Sequence, residues 1–117
     1  VSNPDPLEHD VIRDFNAALV AIGGHNLADA DGVGLTLGTV AINALLGTYP
    51  DEQITGEEKF KRYQLAERIS AAGAQEVSVE EVALIKRLIG KGYPPMVVGP
   101  AWLALESDLA PVDPNPA

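Results

Sequence analysis

The sequence predicts an α+β domain in which a short N-terminal β hairpin packs on a three- to four-helix bundle. Three observations lead there. Two helix-start boxes, Thr55 with Glu58 and Ser78 with Glu81, each place a hydroxyl where it can accept the fourth residue's amide. In each, the Glu can bond back to the first amide. The stripe Leu37, Val40, Ala41, Ala44 and Leu45 has the i, i+3, i+4, i+7, i+8 spacing of one helix face. Ahead of both, residues 10–34 combine β-branched side chains with turn-forming Gly and Asp.

The elements follow in chain order. Residues 1–9, with Pro4 and Pro6, read as a flexible N-terminal arm, because proline removes an amide donor and drives its predecessor away from helix. Residues 10–22 fit two patterns. Val11, Ile12, Phe15, Leu19 and Ile22 make a helical stripe, yet the β-branched content and the stop at Gly23 and Gly24 suit strands. Asp29, Asp31, Gly32 and Gly34 are turn chemistry, so two short strands are expected around that region. Thr36 then caps the first helix and Gly47 ends it.

After a loop containing Pro50, Thr55 caps a helix over residues 56–72 that buries Phe60, Tyr63, Leu65, Ala66 and Ile69, and Gly73 stops it. Ser78 caps the next, over 79–89, burying Val82, Ile85, Leu88 and Ile89, with Gly90 and Gly92 as stops. Residues 94–105 form the last apolar segment. Pro94 or Pro95 suits a first helical turn, whereas Pro100 deletes an internal hydrogen bond and predicts a kinked or split helix. Residues 108–117 read as a proline-rich tail, which leaves residues 10–107 as one domain. No internal repeat with a period of 20 to 50 residues is evident, as judged against known repeat architectures.

Composition narrows the function classes. The 117 residues are 46% hydrophobic but only 5% aromatic, so the core is small and aliphatic. The absence of cysteine removes disulfides, thiolate nucleophiles and zinc-thiolate sites, and it fits a reducing cytosol. No apolar run reaches the roughly 20 residues of a spanning helix, and no signal peptide or anchor is expected. A net charge of −9 argues against direct nucleic-acid binding, which needs clustered Lys and Arg. Residues 1–58 carry ten acidic side chains against Arg13 alone, while residues 59–91 hold seven of the eight basic ones. That asymmetry has two uses: internal pairing of the acidic front with the basic helices, or outward steering of a partner.

Tests for chemistry fail one by one. Glu8, His9 and Asp10, joined by His25, could ligate a metal, but they sit at the edge of a proline-bearing arm and read as a solvated acidic edge. Asp29 and Asp31 suggest a calcium loop whose first and twelfth positions, Leu27 and Gly38, cannot ligate. The pairs Glu57-Glu58 and Glu80-Glu81 lie in first helical turns, where the helix dipole favours negative charge. Neither a GxSxG elbow nor a phosphate-binding glycine motif occurs. The basic set Lys59, Lys61, Arg62, Arg68, Lys86, Arg87 and Lys91 lacks aromatic interleaving, so solvated helix faces or pairing with the acidic front are expected. No catalytic residue, cofactor or metal site is predicted, and the chain is read as a non-enzyme.

The stretches LTLGTVAINALLGTYPDEQITGEEKFKRYQLAERI and EEVALIKRLIGKGYPPMVVGPAWLALE resemble a family of small, mostly uncharacterised proteins of tailed bacteriophages and prophages. In that family a segment like VIRDFNA precedes a DG turn, a TLG helix start, a GEEK-type helix and a terminal helix, and the likeness runs over residues 10–106. Ala17, in place of a turn glycine, and Pro100, in place of a helical residue, depart from its pattern. The resemblance implies a phage setting, in the host cytoplasm or the virion, and a non-enzymatic role in virion structure or assembly; it carries over no catalytic residue. The expected partner is a phage or host protein, a further copy of the chain included. An alternative is an acidic phage-encoded inhibitor that occupies a basic nucleic-acid channel in a host or defence complex, which requires Glu8, Asp10, Asp14, Asp29 and Asp31 in an exposed row. The expected contact residues are Met96, Val98, Trp102 and Leu105, split between packing on the third helix and docking outward.

Overall fold

Asp10–Asp14 forms strand β1, followed by helices α1 (Leu37–Leu46) and α2 (Gly56–Ser70), strand β2 (Ala74–Ser78), and helices α3 (Val79–Gly92) and α4 (Pro95–Glu106). These come from a computed structural model that describes residues 10–71 and 73–106. The predicted arms, residues 1–9 and 108–117, lie outside the described residues. The α+β class is as expected. The partner of β1, however, is β2, paired antiparallel from Asp10 opposite Ser78 to Asp14 opposite Ala74. The sheet thus joins segments some sixty residues apart instead of closing as an N-terminal hairpin. Val77, the buried residue of β2, anchors that pairing, and Ser78 ends the strand while capping α3.

Between β1 and α1 the chain makes a closed three-segment ring. Leu19 donates its amide to Leu35, Leu35 to Leu27, and Leu27 to Leu19, at 2.8 to 3.0 Å. The three leucines are eight residues apart, and so are the two turns between them. Ala21 donates to His25 and Asp29 to Val33, while Gly24 and Gly32 close the turns at φ 93° and 82°. That left-handed backbone suits glycine, which has no Cβ to clash. Leu19 and Leu27 point into the core. Only isolated bridges mark this region, at Ala18 with Thr36, Val20 with Asn26 and Ala28 with Gly34. The two short strands expected around the turns do not form; single bridges stand in their place, because each segment pairs for one residue before the next turn.

α1 is the central helix, packed on α2, α3 and α4. Its predicted stripe of Leu37, Val40, Ala41, Ala44 and Leu45 is buried, Thr36 accepts the Thr39 amide, and Gly47 follows the last turn. Ser78 completes the reciprocal box with Glu81, whereas at Thr55 only the hydroxyl bond to the Glu58 amide forms. Glu58 turns its carboxylate toward Arg62, the opposite charge one turn on. α2 also rotates relative to expectation. Phe60 and Tyr63 are exposed, and the inward stripe is Arg62, Leu65, Ala66 and Ile69. Gly90 and Gly92 lie inside α3, which extends to Gly92 because neighbouring elements pack against them: Trp102 over Gly90 and the Tyr49 ring beside Gly92. α4 runs as one helix through Pro100, starting at Pro95, and is not split. Its inward stripe of Val97, Ala101 and Leu105 holds it against the core.

Arg13, the lone basic residue of the first 58, is buried. Its guanidinium donates to the Leu105 carbonyl in the last turn of α4 and to the Ile12 carbonyl at 2.9 Å. A cation at a helix C-terminus meets the negative end of the dipole, so this contact fastens α4 to β1.

Candidate functional site

Two surface features combine shape with chemistry. The first is an apolar groove of about 580 Å³ between α4 and the first turn of the leucine ring. Because α4 buries Val97, Ala101 and Leu105, helical geometry turns Met96, Gly99, Pro100 and Leu103 to the opposite side. Val20 and Ile22 form the facing wall, and Ile22 at the turn is fully exposed, at 106%. Exposed apolar residues occurring singly are ordinary; a contiguous set lining one groove makes it a candidate contact surface.

Of the four residues expected to make contacts, only Met96 lines this groove. Leu105 is fully buried in the core, and Val98 is half-buried against it. Trp102 lies on α3: its indole donates to the Lys86 carbonyl at 3.0 Å, and the Lys86 ammonium sits 4.7 Å from the ring centroid. Lys86 is held in turn by Glu106 at 2.7 Å. The segment does divide between packing and exposure, but along another seam. Leu103, Val20 and Ile22 were not anticipated. For Leu103 the signal is legible, since Met96, Gly99, Pro100 and Leu103 share an i, i+3, i+4, i+7 stripe; for the ring residues no spacing along the chain could show it.

The second feature is an ion-pair cluster where the α1–α2 loop meets α2 and α3. Glu52 accepts both terminal nitrogens of Arg62, at 2.9 and 3.1 Å, and Arg87 at 2.8 Å, with Lys91 4.0 Å away. Lys91 also pairs with Asp51 and lies 6.0 Å from the Tyr49 ring centroid. The Arg62 hydrogen bonds, then those of Arg87, hold the Glu52 carboxyl down to about 2 against an opposing push from burial. Part of the acidic front is thereby neutralised internally. Beside the cluster a cavity of about 450 Å³ opens, walled by Leu45, Leu46, Ile54, Lys59, Arg62 and Tyr63 among others.

The other acidic candidates do not converge. Asp29 accepts the amides of Asp31 and Val33, and Asp14 accepts that of Asn16, each at 2.9 Å, as turn residues do. Glu8 and His9 lie outside the described residues. Among the described residues, no three His, Asp or Glu side chains gather in a metal-binding cluster. No helix there is long and apolar enough to cross a membrane. Comparison with protein-family models, curated proteins and solved structures finds no match to this chain.

Proposed function

We propose that this chain is a bacteriophage structural or assembly protein that works by protein–protein contact, without catalysis. The observation that supports this reading is the groove beneath Ile22, Met96 and Leu103, an apolar surface lined by no Asp, Glu, Lys or Arg. Interface centres are depleted in charge in the same way. The phage setting rests on the resemblance of the α1–α2 and α3–α4 segments.

The competing reading, an acidic inhibitor of a nucleic-acid-binding complex, needs a row of free carboxylates. Asp29 and Asp31 are exposed, but Asp14 and Asp29 each engage amides of their own turns, which favours the contact protein.

Light scattering on the parent and on Leu103→Glu, with circular dichroism beside it, tests the groove. The expected result is association by the parent and its loss in the variant at unchanged helicity. A parent that stays monomeric at high concentration removes the second copy as occupant. Association that survives both Leu103→Glu and Ile22→Glu would show that the contact lies elsewhere.

A further inference from the structure

The cavity beside the ion-pair cluster is independent of the α4 groove, and its chemistry is different. We propose that it binds an aliphatic carboxylate, with the carboxylate on Arg62 and Lys59 and the aliphatic body on Leu45, Leu46 and Ile54.

The argument starts from Arg62. It is 3% exposed, both terminal nitrogens go to Glu52, and its buried Nε has no hydrogen-bond partner. A buried charged donor without an acceptor is costly, so native structures rarely keep one idle. Glu58 holds a carboxylate oxygen 3.6 Å from that Nε, an ion pair longer than a hydrogen bond, and its side chain is 38% exposed. An incoming carboxylate therefore competes with a loosely held one. Glu52 does not cancel the positive charge, because its two oxygens are already shared among Arg62 and Arg87, with Lys91 close by. Lys59 lines the same cavity and, among the described residues, makes no ion pair, which leaves the wall net positive.

Size and lining select the ligand. At about 450 Å³ the cavity falls within the roughly 300–1,000 Å³ of small-ligand pockets. Leu45, Leu46 and Ile54 offer an apolar bed, and the half-exposed Tyr63 ring flanks it. A multiply charged anion such as phosphate is disfavoured by Glu52 in the same lining, whereas a monoanion with an aliphatic body satisfies both halves of the site. That chemistry has two sources: a free carboxylic acid, or the C-terminal residue of a polypeptide.

Methyl NMR titration separates them. The probes are N-acetyl-leucine and a short peptide ending in leucine, each with a free carboxylate and as the amide. Saturable shifts of the Leu45, Leu46 and Ile54 methyls with the acids, and none with the amides, are expected. A peptide that binds more tightly than the acetylated amino acid assigns the site to polypeptide C-termini, and equal affinity assigns it to free acids. Two exposed substitutions give opposite signs: Lys59→Gln weakens binding about threefold, and Glu58→Gln strengthens it by a similar factor because a competing carboxylate is gone. Glu58→Gln keeps the Thr55 cap, which uses the backbone amide. No saturable shift, equal binding of acids and amides, or affinity changes of one sign in both variants would overturn the proposal.

Discussion

Arg62 stands where helix periodicity asks for an apolar side chain, in line with Leu65, Ala66 and Ile69 on the buried face of α2. Its stem fills that position while its fork reaches Glu52, so one residue joins packing to charge pairing. Arg62→Ala is expected to cost about 3 kcal/mol in urea denaturation, since it leaves Glu52 short of its main partner and opens a gap beside Leu65. A loss below about 1 kcal/mol, the scale of an exposed pair, would mean that Arg87 and Lys91 suffice. Glu52 also sets an acid limit. Its folded value, about 2, lies below the unconstrained 4.5, so the unfolded chain binds the proton first. The stabilisation is complete above pH 4.5 and fades as pH falls toward 2. Glu81, lowered chiefly by its hydrogen bonds from Arg68, acts in the same direction. Urea midpoints measured across that window should drop for the parent and drop less for Glu52→Gln. Parallel pH profiles would remove Glu52 as a source of acid sensitivity.

The helix starts were legible because capping is local: a hydroxyl and an amide three residues on are close whatever the rest of the chain does. α1 appears with its predicted cap, stripe and stop. The two boxes differ in completeness, and variants at their fourth positions should show it. Thr55→Ala and Ser78→Ala each remove one hydroxyl–amide bond and are expected to cost about 1 kcal/mol, while Glu81→Ala, which loses the bond to the Ser78 amide and the pairing with Arg68, costs more than Glu58→Ala. Equal losses for the two Glu variants in thermal or urea unfolding would mean that the added bonds of Glu81 contribute nothing. Element faces were harder to read. Phe60 and Tyr63 are apolar enough for a core, yet α2 turns them outward, because the loop carrying Glu52 draws Arg62 inward. β2 escaped notice altogether: with only Val77 as a buried anchor, its five residues carry too little alternation to announce a strand.

At the scale of the molecule, the chain just after β1 meets α1 in a close approach. Gly38, in the first turn of α1, donates its amide to the Phe15 carbonyl at 2.8 Å, and a Cβ there would stand 2.7 Å from that oxygen. Alanine in place of a helical glycine ordinarily adds about 1 kcal/mol of stability. Here the obstacle is backbone with little room to yield, so Gly38→Ala should instead lose about 1–2 kcal/mol. A variant more stable than the parent in urea would show that the junction gives way. The same junction closes the leucine ring, whose first and third segments meet where Leu37 donates to Ala17.

What the sequence determined by itself is what adjacent residues can settle: the α+β class, the caps at Thr36, Thr55 and Ser78, the core stripe of α1 and the turn chemistry of Asp29 and Gly32. The α4 residues of the groove were within reach of the same logic. Tertiary structure alone decided that β1 pairs with β2, that Leu19, Leu27 and Leu35 close on one another, that Ile22 faces Met96, and that Glu52 collects Arg62, Arg87 and Lys91. Strand pairing, ring closure and charge collection each depend on which distant segments share a wall. Backbone hydrogen bonds are the same for every residue type, so a strand or a turn amide carries no mark of its distant partner until packing brings the two together.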